Sequence, residues 1–128
     1  MTSECLFCRI VAGEEPAERV DEDDVTLSFM DAFPASNGHV LVIPKTHVES
    51  IYDLDERDGD AVWRTTIRIA RAIRSALEPD GLSLRQSNGR AAGQVIPHFH
   101  MHLVPRYEVG ERGDRGRIRE FAERIRSA

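Results

Sequence analysis

Three of the five histidines, His98, His100 and His102, fall at every second position, with Phe99, Met101 and Leu103 between them. A β-strand alternates its side chains between two faces at about 3.3 Å per residue, so a strand here sets the imidazoles on one face, roughly 6.6 Å apart, and the apolar residues on the other. A helix would splay the histidines round its axis, and Pro97 and Pro105 bracket the stretch as strand-end residues. Closely set imidazoles lower one another's pKa by like-charge repulsion, which keeps an unprotonated nitrogen available at neutral pH. Two chemistries use such a face. It can bind a metal ion, or its middle histidine can act as a nucleophile with the other ring nitrogen held by a backbone carbonyl.

The loop before this stretch, Ser87-Asn88-Gly89-Arg90-Ala91-Ala92-Gly93-Gln94, has two glycines that let the backbone approach a ligand, and its successive N–H groups can form an anion-binding nest. No G-K-[ST] follows, so it is not a Walker A loop. Directly ahead of a histidine strand, it suggests a phosphate held against a histidine nucleophile. A second pair of chemical residues stands at the other end of the chain, in Cys5-Leu6-Phe7-Cys8. A lone C-x-x-C is a redox pair, a chance spacing or half of a metal site, and two cysteines alone cannot complete tetrahedral zinc.

The elements that must position these residues follow from periodicity. Cys5 to Gly13 reads as one helical turn, and acidic Val20–Asp24 as a turn between short strands. Val25–Phe29 alternates as a strand, Asp31–Gly38 is a turn-rich loop, and His39–Pro44 is a nearly continuous apolar strand expected in the middle of a sheet. Thr46–Tyr52 is expected to be a short helix. A long helix over Asp55–Leu77 buries Val62, Thr66, Ile69, Ala70, Ile73 and Leu77 and turns arginines outward, and Pro79-Asp80-Gly81 ends it. Leu82–Gln86 is a further strand, and Asp114–Arg126 an amphipathic helix carrying Ile118, Phe121 and Ile125. Strands that mostly neighbour in sequence, with one long and one terminal helix, imply an α+β domain with an antiparallel sheet.

Composition sets the outer bounds. A chain of 128 residues with 41% hydrophobic and 30% charged residues is an ordinary globular protein, expected as one domain over 1–128 with residues 110–128 as a C-terminal tail and helix. The net charge of −5 gives no basic patch for nucleic acid and no polybasic membrane anchor. No apolar run approaches the roughly 20 residues of a membrane span, no signal peptide is evident, and two cysteines point to a reducing cytoplasm. Lys45 is the only lysine, and the stretch Gly110–Gly116 reads as loose.

The pattern G-Q-x-x-x-H-φ-H-φ-H-φ-φ, from Gly93-Gln94 to Val104, resembles the signature of the histidine triad (HIT) family. Cys5-Leu6-Phe7-Cys8-Arg9-Ile10-Val11-Ala12-Gly13 is similar to the family's bacterial-type N-terminus. Gly38-His39-Val40-Leu41-Val42-Ile43-Pro44-Lys45-Thr46-His47 is similar to its G-H-x-L-V-I-P-K-x-H strand. The resemblance covers nearly the whole chain. It implies a HIT-like fold and an enzyme that hydrolyses or transfers nucleotidyl groups at the α-phosphate of a purine nucleotide, a phosphoramidate or a dinucleoside polyphosphate, through a covalent nucleotidyl-histidine.

Carried over by position, His100 is the nucleophile, the backbone carbonyl of His98 orients it, and His102 with His39 surrounds the α-phosphate. Asp31 is expected at the ribose, Phe7, Ile10 and Phe29 at the base, and Gly93 and Gln94 at phosphate oxygens. Cys5, Cys8, His47 and His98 are expected to hold a structural zinc ion. The third histidine fits the hydrolase branches. The resemblance also implies a homodimer paired through the long helix and an edge strand, with Trp63 and the Ile67/Ile69 side in contact. Two positions depart from the family: Ser87, where Asn or Gln is usual, so that Ser87 or Asn88 must supply that contact, and Val95, where Ser or Thr is common. Both favour the alternative of a zinc-stabilised nucleotide-binding or interaction module with little turnover.

Overall fold

A computed structural model describes residues 4–110 and 112–128. Five strands, β1 (Arg19–Glu22), β2 (Thr26–Met30), β3 (Val40–Pro44), β4 (Gly81–Arg85) and β5 (Met101–Arg106), form one antiparallel sheet in the order β1-β2-β3-β5-β4. Helix α1 (Leu6–Val11) precedes the sheet, α2 (Glu56–Leu77) connects β3 to β4, and α3 (Ile118–Arg126) follows β5 after a short 3-10 turn at Arg115–Arg117. The α+β fold with an antiparallel sheet, one long helix and a C-terminal helix is the expected one.

Strand β3 takes the middle place that its unbroken apolar run demands, because both faces of the sheet are covered there. On one face Met30, Val40, Val42 and Leu103 pack against Val62, Ile69 and Ile73 of α2 and Phe121, Ala122 and Ile125 of α3. On the other, Leu27, Phe29, Leu41 and Ile43 pack against Phe7 and Ile10 of α1 together with Cys5 and Cys8. A buried hydroxyl pair, Thr26 to Thr65 at 2.8 Å, ties β2 to α2. Asp55 caps α2 by accepting from the Arg57 N–H at 2.8 Å, and Glu78 ends it in the left-handed conformation. At the entry to β3, Gly38 has φ +93°, and a Cβ there would run into Leu77 and Pro105, so only glycine lets the chain turn in against α2.

Four expectations need correction. Val20 to Glu22 belong to strand β1 and are not part of a turn, so the turn between the first two strands is confined to residues 23–25. Residues 46–52 form bends and a turn, not a helix. Their backbone groups bond across the fold: Val48 accepts from the Phe99 N–H, Glu49 from Gln94, and the Ile51 N–H donates to Asn88. The histidine stretch pairs as a strand only from Met101. Continuing the register of β3 with β5 would set Pro44 opposite Phe99, and Pro44 has no N–H to give. The alternation survives regardless, with Phe99 in the α2-side core and His98, His100 and His102 on the α1 side. Ile69 is buried in the core and cannot serve an outer contact surface, whereas Trp63 (50% exposed) and Ile67 (38%) are open. Lys45 pairs with Glu22 at 2.8 Å. Glu111, within the stretch expected to be loose, lies outside the described residues.

Candidate active site and metal-binding cluster

The N-cap of α1 is Cys5, and one helical turn on stands Cys8. This spacing brings both thiols beneath the end of the histidine stretch. Cys5 Sγ lies 3.4 Å from His98 Nδ1, Cys8 Sγ 3.5 Å from the same atom and 3.3 Å from His47 Nδ1, and the two Nδ1 atoms are 3.3 Å apart. All four ligand atoms fall within 4.8 Å of one another. Zinc bonds of about 2.3 Å to sulfur and 2.0 to 2.1 Å to nitrogen at a tetrahedral centre give S···N edges of about 3.6 Å and N···N edges of about 3.3 Å, so the set fits a tetrahedral ion.

The ring of His98 is set for this. Its Nε2–H donates to the Pro44 carbonyl at 2.8 Å, which leaves the Nδ1 lone pair facing the thiols. Burial, ahead of the neighbouring His47 and His100, lowers His98 to about 4 and keeps that lone pair free of a proton. Burial, then the hydrogen bond and charge of Cys5, pushes the Cys8 thiol up to about 11, so a thiolate here needs a cation beside it.

Backbone groups fix the remaining histidines. The His98 carbonyl accepts from His100 Nδ1 at 2.7 Å; a carbonyl can only accept, so the proton is on Nδ1 and the Nε2 lone pair of His100 is free. The Ala35 N–H donates to His39 Nδ1 at 3.0 Å, placing the His39 proton on Nε2, which lies 2.9 Å from His102 Nδ1. His102 therefore accepts at Nδ1 and carries its own proton on Nε2. The rings of His100 and His102 meet edge to face with centroids 4.8 Å apart. One imidazole thus offers a lone pair and its neighbour an N–H. His39 has both nitrogens engaged.

All three are held neutral. Burial first, then the charges of His100, His39 and Arg85, lowers His102 to about 3. His39 and His100 are also lowered, again by burial first, with the Asp31 carboxylate opposing both shifts. The direction is the one expected from mutual repulsion, but desolvation is the larger cause. Asp31 Oδ1 accepts from the Phe33 N–H at 2.8 Å, and Oδ2 stands 3.5 Å from His39 Nε2 and 3.9 Å from His102 Nδ1. The same geometry makes Asp31, His39 and His102 a second group with ligand atoms within metal distance.

The other expected contacts are distributed unevenly. Phe7 packs edge to face on both His100 and Phe29, with centroids 5.2 Å apart in each case, and Phe7, Ile10 and Phe29 are buried in one cluster beside the His100 ring. Gln94 is buried, and its amide is fully engaged: Oε1 accepts from the Gly89 N–H at 2.7 Å, and Nε2 donates to the carbonyls of Glu49 at 2.7 Å and Ile96 at 3.1 Å. Asn88 exchanges hydrogen bonds with Gln86 and accepts from the Ile51 N–H at 2.8 Å. Gln94 has both amide hydrogens engaged and holds loop to loop, whereas Asn88 gives one of its two amide hydrogens to Gln86. Gly93, at φ +95°, closes the 3-10 turn over Arg90–Ala92 and leaves no side chain over it. The Ser87 carbonyl accepts from Gln86, and Val95 is 84% exposed. Sequence reasoning missed the Pro44 carbonyl and the Ala35 N–H, which are backbone groups without a residue signature, and Arg85, which only the strand register places beside His102.

A HIT domain model matches residues 12–109. The chain is 44% identical over 107 residues to Protein hit of Bacillus subtilis, covering 84% of this chain and 74% of that one. It is 36% identical over 103 residues to the adenosine 5'-monophosphoramidase of Schizosaccharomyces pombe, covering 80% and 74%. A solved zinc-bound histidine triad family protein from Mycobacterium smegmatis superposes with a TM-score of 0.91 at 36% identity, over 99% of this chain and 94% of that one. A domain match over most of the chain, together with alternating histidines set on the sheet as the signature requires, makes this protein a member of the histidine triad (HIT) family.

Proposed function

We propose that the protein hydrolyses a purine nucleotide at its α-phosphate through a nucleotidyl group carried on His100. The observation that carries this reading is the fixed tautomer of His100, with Nδ1–H given to the His98 carbonyl and an unprotonated Nε2 beside the Nε2–H of His102. In the first half-reaction the Nε2 lone pair attacks phosphorus, the N–P bond forms and the bond to the leaving group breaks. In the second, a water oxygen attacks phosphorus and the N–P bond breaks, returning the electron pair to Nε2. The attacking water loses one proton to solvent, and this balances the sum: an amine leaving group takes a proton from solvent as it departs, whereas a phosphate chain departs as the anion, and the product in either case is the nucleoside monophosphate. His102 donates its N–H to the phosphoryl oxygen on which charge builds, and His39 holds His102 in the donating tautomer. Phe7, Ile10 and Phe29 form the floor on which the base rests, and Asp31 takes the ribose.

A zinc ion held by Cys5, Cys8, His47 and His98 is structural in this reading. With all four ligand positions supplied by the protein, none is open for chemistry. In a reducing cytoplasm the cysteines remain thiols able to take it. The single domain spans the chain and forms a homodimer through α2 and the adjoining sheet edge, where Trp63, Ile67, Leu82 and Leu84 line an open apolar groove. Light scattering of the purified protein gives twice the chain mass, and a monomeric mass removes the dimer.

Incubation with an adenosine phosphoramidate or a diadenosine polyphosphate, followed by quenching and intact-mass measurement, tests the chemistry. Wild type forms a nucleotidyl adduct and releases AMP, and His100→Ala does neither. The second reading, a binding module with little turnover, is favoured by the exposed Val95, which has no hydroxyl to give a leaving group. Tight nucleotide binding without adduct or turnover establishes it in place of the enzyme.

A further inference from the structure

The sheet order places three regions of the α1-side face in a row. Phe29 lies on β2 under α1, His102 on β5 two strands further, and Arg85 on β4 directly beyond it as the register partner of His102. Cross-strand partners in an antiparallel pair point to the same face, so the Arg85 guanidinium stands on the histidine side. Leu82 and Leu84, its alternates on β4, line the groove on the α2 side.

Helix α1 covers β2 and β3 but not β4, and Arg85 is exposed, with no hydrogen bond or ion pair among the described residues. Further along the same face Arg106 is anchored by its Nε–H on the Ser83 hydroxyl at 3.1 Å. Positive charge from Arg85 and Arg106 reaches the site, since each disfavours protonation of His39, and Arg85 also that of His102. Acidic residues outnumber basic ones by 22 to 17 in this chain, yet this edge of the site presents two arginines and no carboxylate among the cross-strand pairs of β4 with β5.

We infer that Arg85, backed by Arg106, forms the leaving-group subsite, and that the leaving group it takes is an anion, a phosphate chain, not a neutral amine. With phosphorus at His100 and His102 and the face over β2 and β3 taken up by α1, a group that departs across the sheet moves toward β4. A guanidinium there binds phosphate oxygens by paired N–H donors and stabilises the charge that the leaving oxygen gains as its bond to phosphorus breaks. An amine leaving group, which departs without negative charge, gains nothing from it. This inference rests on the reading under Proposed function.

The test compares kcat/KM for diadenosine tetraphosphate, whose leaving group is anionic, with that for adenosine 5'-phosphoramidate, whose leaving group is neutral. In Arg85→Gln the ratio of the two falls about tenfold or more, and Arg85→Lys restores part of it, because charge is kept but the paired donors are lost. Raising salt erodes the wild-type ratio and has little effect on that of the glutamine variant. A ratio unchanged in Arg85→Gln, or a wild type that turns over only the phosphoramidate, overturns the leaving-group assignment while leaving the His100 chemistry intact. A wild type that turns over neither substrate and forms no adduct overturns the reading on which the assignment rests, and the assignment with it.

Discussion

His100 donates its Nδ1 proton to the carbonyl of His98 across 2.7 Å, while the ring of that same His98 closes the cluster with Cys5, Cys8 and His47. The candidate nucleophile and the candidate metal cluster therefore share one residue, through its main chain on one side and its side chain on the other. Metal analysis of untagged protein should give about one zinc per chain, lost in Cys5→Ser/Cys8→Ser. That variant should also unfold at lower denaturant, since a closed four-ligand site adds on the order of several kcal/mol to folding. Full metal content in the double variant would remove the cysteines from the site.

In the proposed reaction His39 acts only through His102. With Ala35 N–H on one nitrogen and His102 on the other, it decides which His102 nitrogen carries the proton. His39→Ala should lower kcat about 10- to 100-fold, in the range of lost outer-shell partners, with a smaller effect on KM. His39→Gln, whose amide can place an N–H toward His102, should recover part of the loss. Nitrogen NMR separates this from a general structural defect: His102 should be the Nε2–H tautomer in wild type and a tautomer mixture in His39→Ala. An unmixed Nε2–H tautomer in the alanine variant would show that His39 does not set it.

Neutral His102 gives stability a defined pH dependence. Its pKa falls from 6.5 in the unfolded chain to about 3 in the native one. Between those values the unfolded chain holds a proton at this position that the native chain does not, so stability is full above about pH 6.5 and declines as pH falls toward 3. The slope from one such proton is about 1.4 kcal/mol per pH unit. His100, His39 and Arg85 disfavour the charge, and Asp31 faces the ring at 3.9 Å. Denaturant titrations from pH 4 to 6 should show a shallower slope in His102→Gln than in wild type under the same metal conditions. Equal slopes would mean that His102 titrates normally in the folded protein.

The sheet and the two longer helices were legible because each obeys a simple period. β3 reads as an unbroken apolar run because it is covered on both faces, and α2 repeats its buried positions every three or four residues. The three histidines were legible for the same reason, since alternation puts them on one face whether or not the ladder extends to His98. Residues 46–52 were misread as a helix because their local pattern carries no trace of Phe99, Gln94 and Asn88, the distant residues that take their backbone bonds. The base-side residues Phe7, Ile10 and Phe29 look like any apolar core until α1 is placed over the sheet. Gln94 stands beside the triad in the signature, and only coordinates reveal that its amide is turned to the loops.

That turned amide carries the last prediction. Gln94 joins residues 49, 89 and 96 through three hydrogen bonds from a side chain only 6% exposed, so it clamps the loop carrying His47 and Val48 to the loop that leads into His98. Gln94→Ala removes three hydrogen bonds, each worth about 1 kcal/mol net where the freed groups can turn to water, as those of exposed Gly89 and Glu49 can, while the Ile96 carbonyl keeps the His98 N–H at 2.8 Å. The variant should unfold at lower denaturant, and the Gly89 amide should exchange faster. Gln94→Glu keeps the acceptor for Gly89 but turns a carboxylate oxygen toward two carbonyls, so it should be at least as damaging as alanine despite its closer shape. A glutamate variant as stable as wild type, with Gly89 exchange unchanged in both, would show that the two loops hold together without this side chain.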